Sequence, residues 1–162
     1  MTSRDKSESA PGSVEAAKRK ALSLLDRRDY SRAELLQKLA EKGYTDAAAA
    51  DAVDRLVELG FVDDARYAPI VVRHYAAKGY GAQRIRGELR RRGIPKELWD
   101  AAMAEMPAQD ETVDRLLRAR LKGADPDDRT ALKRATDALL RRGYGWDEIS
   151  AAVERLKAEQ TE

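Results

Sequence analysis

The chain of 162 residues contains no cysteine and a single histidine. Disulfides and thiolate metal sites are therefore excluded, a composition compatible with a reducing cytoplasm. His74 has no carboxylate at i+4 and cannot assemble a zinc ligand set, so a surface or boundary position is expected for it. Aromatics make up 6% of the chain and prolines number five, while Ala, Leu, Arg and Glu abound; few residues favour strands, and an almost wholly helical protein follows. Apolar runs stop at four or five residues, and the opening segment MTSRDKSESAPG has no hydrophobic stretch. Neither a membrane span nor a signal peptide is expected, and the expected location is cytoplasmic. There is no G-x-S-x-G, no glycine-rich phosphate loop after a strand, and no nucleophile beside a base. An enzyme is the least favoured class, with no catalytic residue, metal or cofactor to assign.

What is present is a repeat. Gly43, Gly93 and Gly143 are spaced by 50 residues, and the same shift aligns apolar positions around them. The rungs are Leu35/Ile85/Ala135, Leu39/Leu89/Leu139, Tyr44/Ile94/Tyr144, Ala52/Ala102/Ala152, Val53/Met103/Val153 and Leu56/Met106/Leu156. A fixed period of this length marks supersecondary modules that hide their apolar faces against neighbours. The expected fold is all-α: three tandem three-helix repeats of about 50 residues stacked into an elongated, curved body. The boundaries read as a disordered tail over 1–13, then repeats over 14–62, 63–109 and 110–162.

Nine helices are predicted, over residues 15–28, 31–42, 46–59, 64–78, 81–92, 95–105, 110–122, 126–142 and 146–158. Ser31 and Glu34 form an S-x-x-E capping box. Each repeated glycine suits the left-handed C′ position of a Schellman cap, with Tyr44, Ile94 or Tyr144 meeting the leucine one turn back. Asp63-Asp64, Pro95 and Asp125-Pro126 read as helix starts, and the eighth helix is expected to begin about one turn before its equivalents. Trp99 aligns with Ala49 and Ile149 as a core rung, whereas Trp146 aligns with Asp46 and Lys96 at a helix start.

The formal net charge is only +2, yet charge is segregated along the chain. Arg66 to Lys96 carries nine basic residues against Glu88 alone, Arg115 to Arg142 carries nine against four acidic ones, and Glu97 to Glu111 carries five acidic and no basic residue. Such blocks make local fields that the net charge conceals. On a helical wheel Ala82, Ile85 and Leu89 face inward, so Arg84 and Arg91 face outward. Their counterparts are Arg134 and Arg141 in the third repeat but Glu34 and Glu41 in the first. Charges that merely solvate helix faces need no further role. A sign that reverses between copies is not dictated by the fold, which makes these four arginines, with Arg73 and Lys78 in the basic block, the candidate binding residues. Lys42, Arg92 and Arg142 recur before every repeated glycine and are read as complements to the helix dipole.

The segment 60–94, GFVDDARYAPIVVRHYAAKGYGAQRIRGELRRRGI, resembles the central signature of the bacterial RecX family of RecA regulators. The matching features are Gly60-Phe61-Val62-Asp63-Asp64, Tyr67, Arg73, Gly79-x-Gly81, Arg84-Ile85, Leu89 and Gly93-Ile94, while Ser31, Glu34, Leu35, Leu39 and Gly43 are similar to that family's first-repeat pattern. The resemblance spans residues 16–106; the third copy matches by architecture and length more than by motif. It implies a crescent of three-helix modules that binds RecA recombinase, lies in the groove of the RecA filament on single-stranded DNA, and restrains filament growth, ATP hydrolysis and strand exchange. Two other readings compete. A sequence-tolerant binder of single- or double-stranded DNA would resemble tandem Myb-like modules, whose regularly placed tryptophans are absent here; an α-helical repeat scaffold would need no basic stripe. With no heptad seam, a monomer is expected.

Overall fold

The computed structural model describes residues 10–161, and in them every regular element is helical. In chain order these are α1 (Val14–Leu25), α2 (Arg32–Glu41), α3 (Asp46–Glu58), α4 (Asp64–Ala77), α5 (Ala82–Arg91), a short 3-10 turn (Lys96–Leu98) running into α6 (Trp99–Met103), α7 (Asp110–Leu121), α8 (Arg129–Arg141) and α9 (Trp146–Gln160). Each helix coincides with one read from the sequence. Of the tail expected over 1–13, residues 1–9 lie outside the described residues. Residues 10–13 are ordered rather than disordered: the Ser13 N–H donates to Ala10 O, the Thr45 N–H donates to Pro11 O at 2.8 Å, and the Ser13 hydroxyl caps α1.

The chain divides into two compact units. One comprises the chain up to Ala68 together with Leu89–Trp99; the other comprises Pro69–Glu88 and the chain from Asp100. The first is built around Leu35, Leu39, Ala52, Val53 and Leu56, the second around Val113, Leu117, Leu139, Tyr144 and Ile149. A shift of 100 residues along the sequence brings the members of these cores into correspondence, with a compensation in volume. Ala17 and Ala21 face Leu35 in the first core, whereas Leu117 and Leu121 accompany Ala135 in the second. Exchanging large and small residues at facing positions preserves the filled volume, the kind of change that cores tolerate best. Bidentate pairing of Arg155 with Asp114, at 2.7 to 3.1 Å, ties α9 to α7.

Helix ends explain the period. After α2, the Tyr44 N–H donates to Leu39 O and the Gly43 N–H to Ala40 O; the same pair of bonds closes α5 at Gly93 and α8 at Gly143. The three glycines have φ of +94°, +68° and +96°, the left-handed region a Schellman cap requires. The copies differ in what lies beyond. Gly43 faces open space, but a β-carbon on Gly93 would collide with the Ala33 side chain, and one on Gly143 would lie 2.5 Å from the backbone N and the Cβ of Arg84. In two copies the glycine is therefore both a helix stop and a point where the next repeat's helix end is pressed against the start of the previous repeat's second helix.

Hydrogen bonds follow this contact. In the first unit the Ser31 hydroxyl donates to Arg92 O, while the Tyr67 hydroxyl accepts from Arg28 and Arg92 at 3.0 and 3.3 Å. In the second, the N–H groups of Gly81 and Gln83 donate to the carbonyls of Arg142 and Gly143 at 2.8 and 3.1 Å, and the buried Tyr144 hydroxyl donates to Gly79 O at 2.8 Å. Orphan donors at one helix start are thus satisfied by orphan acceptors at another helix end. Burial holds the phenols of Tyr67 and Tyr144 above the ordinary tyrosine pKa.

Two helix starts depart from expectation. Asp63 caps α4 through the Arg66 N–H, as read, but Asp64 instead accepts the Arg32 N–H at 2.9 Å and so caps α2. The eighth helix does not start at Asp125-Pro126; Asp128 is its N-cap, accepting from Thr130 and Ala131, while Asp125 folds a turn onto Asp127 and Pro126 is buried. Its first residue still precedes the position equivalent to Arg32 by three residues, close to the one extra turn expected.

Alanine at the three glycines should give graded losses of stability in urea titrations. Gly43→Ala should cost about 1 kcal/mol, the left-handed penalty alone. Gly143→Ala, which adds a clash with backbone, should cost about 3 kcal/mol, with Gly93→Ala between them. Asp64 yields a second expectation. Burial raises its carboxyl pKa against the opposing effect of the Arg32 N–H, so ionisation is disfavoured in the fold and this residue's contribution falls as pH rises through the raised value. Asp64→Asn, which keeps an acceptor without a charge, should match or exceed wild-type stability at pH 7 and lose that advantage below the ordinary carboxyl range; Asp64→Ala should cost about 1 kcal/mol.

Candidate cationic interface

All six residues singled out by the sequence, Arg73, Lys78, Arg84, Arg91, Arg134 and Arg141, are solvent-exposed. Five belong to the second compact unit, and Arg91 belongs to the first. Arg73 projects from α4 with Glu105 at 3.8 Å, both side chains about half exposed, a contact with little energetic weight. Arg134 and Arg141 lie seven residues apart on α8, hence about two turns apart on one face. Neither makes an ion pair among the described residues.

Lys78 and Arg84 are brought together by aromatic rings. The Lys78 ammonium lies 5.6 Å from the Tyr75 ring centre, Tyr75 and Tyr80 are 5.9 Å apart, and the Arg84 guanidinium lies 4.9 Å over Tyr80. Arg142 joins them, its guanidinium 5.4 Å from the Tyr80 ring and donating to the carbonyls of Lys78 and Gly79 at 3.3 Å. Its recurring position is thus a tie between repeats rather than only a dipole complement. Exposed His74 packs edge-on against Tyr75 at 5.1 Å. The nearest carboxylate to Arg84 is buried Glu88, at 3.9 Å. Three cations around two half-exposed rings form a surface suited to planar or anionic groups. The two tyrosines were not among the sequence candidates; their only signal was alternation with basic residues from His74 to Arg84.

The matching site in the first unit has the same scaffold and a different charge. Arg28 lies 4.3 Å over Tyr30, but Glu34 stands 3.3 Å from Arg28 and also accepts the Ser31 N–H at 3.1 Å. Glu34 is therefore held by its capping box and is half-buried, not a freely solvated counterpart of Arg84. The α5 start needs no such carboxylate because Arg142 O and Gly143 O already accept its N–H groups. Glu41, exposed and 3.7 Å from Lys38, has no comparable duty. Among the described residues no group of His, Asp and Glu could hold a metal, and no helix is long and apolar enough to cross a membrane.

Tandem three-helix repeats define the class of protein. The chain belongs to the RecX family: residues 17–56 match the family's first three-helix domain and residues 63–103 its second. It is 42% identical over 135 residues to the regulatory protein RecX of Xanthomonas citri, covering 83% of each chain. It is 38% identical over 140 residues to that of Vibrio campbellii, covering 85% of this chain and 90% of the relative. The fold is similar to the crystal structure of RecX from Lactobacillus salivarius, with a TM-score of 0.81 at 21% identity over 90% of this chain and 97% of that one. It is also similar to a second crystal structure of regulatory protein RecX, with a TM-score of 0.80 at 19% identity over 87% and 73% of the two chains.

Reversing charge in the first repeat should separate the two glutamates. Glu34→Arg should lower stability by about 1 kcal/mol through loss of the capping box, whereas Glu41→Arg should stay within about 0.5 kcal/mol of wild type in urea unfolding.

Proposed function

We propose that this RecX-family regulator binds RecA recombinase and its filament on single-stranded DNA, and restrains filament extension, ATP hydrolysis and strand exchange. In this reading the repeats over 14–62, 63–109 and 110–162 are the working modules, and Arg73, Lys78, Arg84, Arg91, Arg134 and Arg141 are the contact residues. The protein acts as a monomer in the cytoplasm. The observation that carries the reading is the cluster of Lys78, Arg84 and Arg142 around Tyr75 and Tyr80, set beside its counterpart in the first unit, where Glu34 neutralises Arg28. The scaffold is common to both, Arg142 included; the charge that differs is Arg84 in place of Glu34, and Arg84 stands over Tyr80 without a part in the helix cap.

An acidic protein groove that also carries phosphates would attract such a surface from a distance and hold it through charge-assisted hydrogen bonds, so binding should weaken with salt. The aromatic rings also suit direct contact with unstacked bases, which supports sequence-tolerant binding of DNA as the second reading. Binding compared across a salt series on bare and on RecA-coated single-stranded DNA separates the two. Strong preference for coated DNA is expected; equal affinity favours the plain DNA binder.

Arg84, Arg91, Arg134 and Arg141 changed together to glutamate should abolish inhibition of RecA-dependent ATP hydrolysis, with helical circular dichroism retained. Full inhibition by that folded variant would remove these residues from the interface. Glu41→Arg serves as the control and should not weaken binding.

A further inference from the structure

Trp146, the first residue of α9, is 61% exposed, the most exposed of the large apolar side chains among the described residues. It stands at the edge of a groove of about 480 Å³ between α8 and α9, whose apolar lining includes Leu132 and Val153 and whose α8 wall carries Arg129, Lys133 and Asp137. The matching place in the first repeat is built differently. Arg32, the equivalent of Leu132, reaches Asp54, the equivalent of Glu154, at 2.7 Å and closes the span with an ion pair, and Asp46 stands where Trp146 does. The second repeat has Lys96 there. Neither the tryptophan nor the open span is therefore required to fold a three-helix repeat. The extra residues at the start of α8 are what supply Arg129 to the wall.

We propose that the α8–α9 groove docks a protein segment presenting one bulky apolar side chain flanked by carboxylates, with Trp146 as the anchoring contact. An exposed tryptophan over an apolar cleft with a charged rim is the pattern of an interface hot spot. Charge selects the occupant. The groove's own lining sets Arg129 and Lys133 against Asp137 and Glu154, with Asp137 engaged by Lys133 at 2.8 Å, and the exposed face of α8 beyond the lining adds Arg134 and Arg141 with no further acid. A peptide can set its carboxylates along that wall and leave uncharged backbone opposite Glu154 on α9. A nucleic-acid strand bears charge at every nucleotide and meets Glu154 unfavourably.

The proposal rests on the preceding one only in taking α8 as part of the interface, and its test contains no RecA, so the two can fail separately. The probe is a 12-residue peptide of Asp and Glu with one central Phe, titrated into the full chain while tryptophan emission is followed; buried Trp99, its indole bonded to Ile94 O, supplies a constant background. A saturable blue shift is expected as Trp146 leaves water. The shift should vanish in Trp146→Ala, and the affinity should fall at least tenfold in Ser150→Glu, which adds a carboxylate to the lining. Absence of a shift would overturn the proposal. So would an equal shift with a peptide carrying Ser in place of Phe, an equal shift with a 12-nucleotide poly(dT), or undiminished binding by Ser150→Glu.

Discussion

The contact on which both compact units depend is a helix end, stripped of its side chain, pressed against the start of another helix. Gly143 against Arg84 and Gly93 against Ala33 are the same event in two places. Each brings carbonyl groups with no partner of their own within reach of donors at a helix start, either directly, as with Gly81 and Gln83, or through the Ser31 hydroxyl. A bulkier residue would hold the two termini apart and leave both sets of polar groups to find other partners, at greatest cost beside the buried Gly143. Around this contact Tyr144, Tyr67, Arg92 and Arg142 add further bonds, which ties the packing of one repeat to the helix cap of the next.

The same contact decides where charge is free to vary. At the start of α2 the N–H groups are accepted by side chains, Ser31, Glu34 and Asp64, so the position of Glu34 is committed to a carboxylate. At the start of α5 backbone carbonyls do that work, and the equivalent position can carry Arg84, which turns to Tyr80. At the start of α8 Asp128 caps the helix itself, and the extra residues extend its exposed cationic face. Three solutions to one capping problem thus produce three different surfaces, and the cationic ones fall in the repeats whose caps make no use of the position equivalent to Glu34.

Much of this was legible beforehand because it is local. The 50-residue glycine period, the rungs from Leu35 to Leu156, the capping box at Ser31 and the Schellman pairing of Leu39 with Tyr44 involve residues within a few positions of one another, where backbone sterics and helical periodicity leave few options. Asp125-Pro126 misled because a proline after an aspartate satisfies the same local rule as a true start, and burial of Pro126 in the preceding turn decided against it. Glu34 misled because a helical wheel shows which way a side chain points but not what reaches back to it from Arg28.

The amino-acid order alone determined the helices, their glycine stops and the family resemblance, since these follow from spacing, propensity and side-chain type along a single stretch of chain. Tertiary structure alone decided that two of the three glycines are contact points, that Asp64 serves a helix 32 residues away, that Tyr75 and Tyr80 gather Lys78, Arg84 and Arg142, and that Trp146 overlooks an open groove. Each of these depends on which distant atoms arrive at a given point in space, and periodicity along the chain carries no such information.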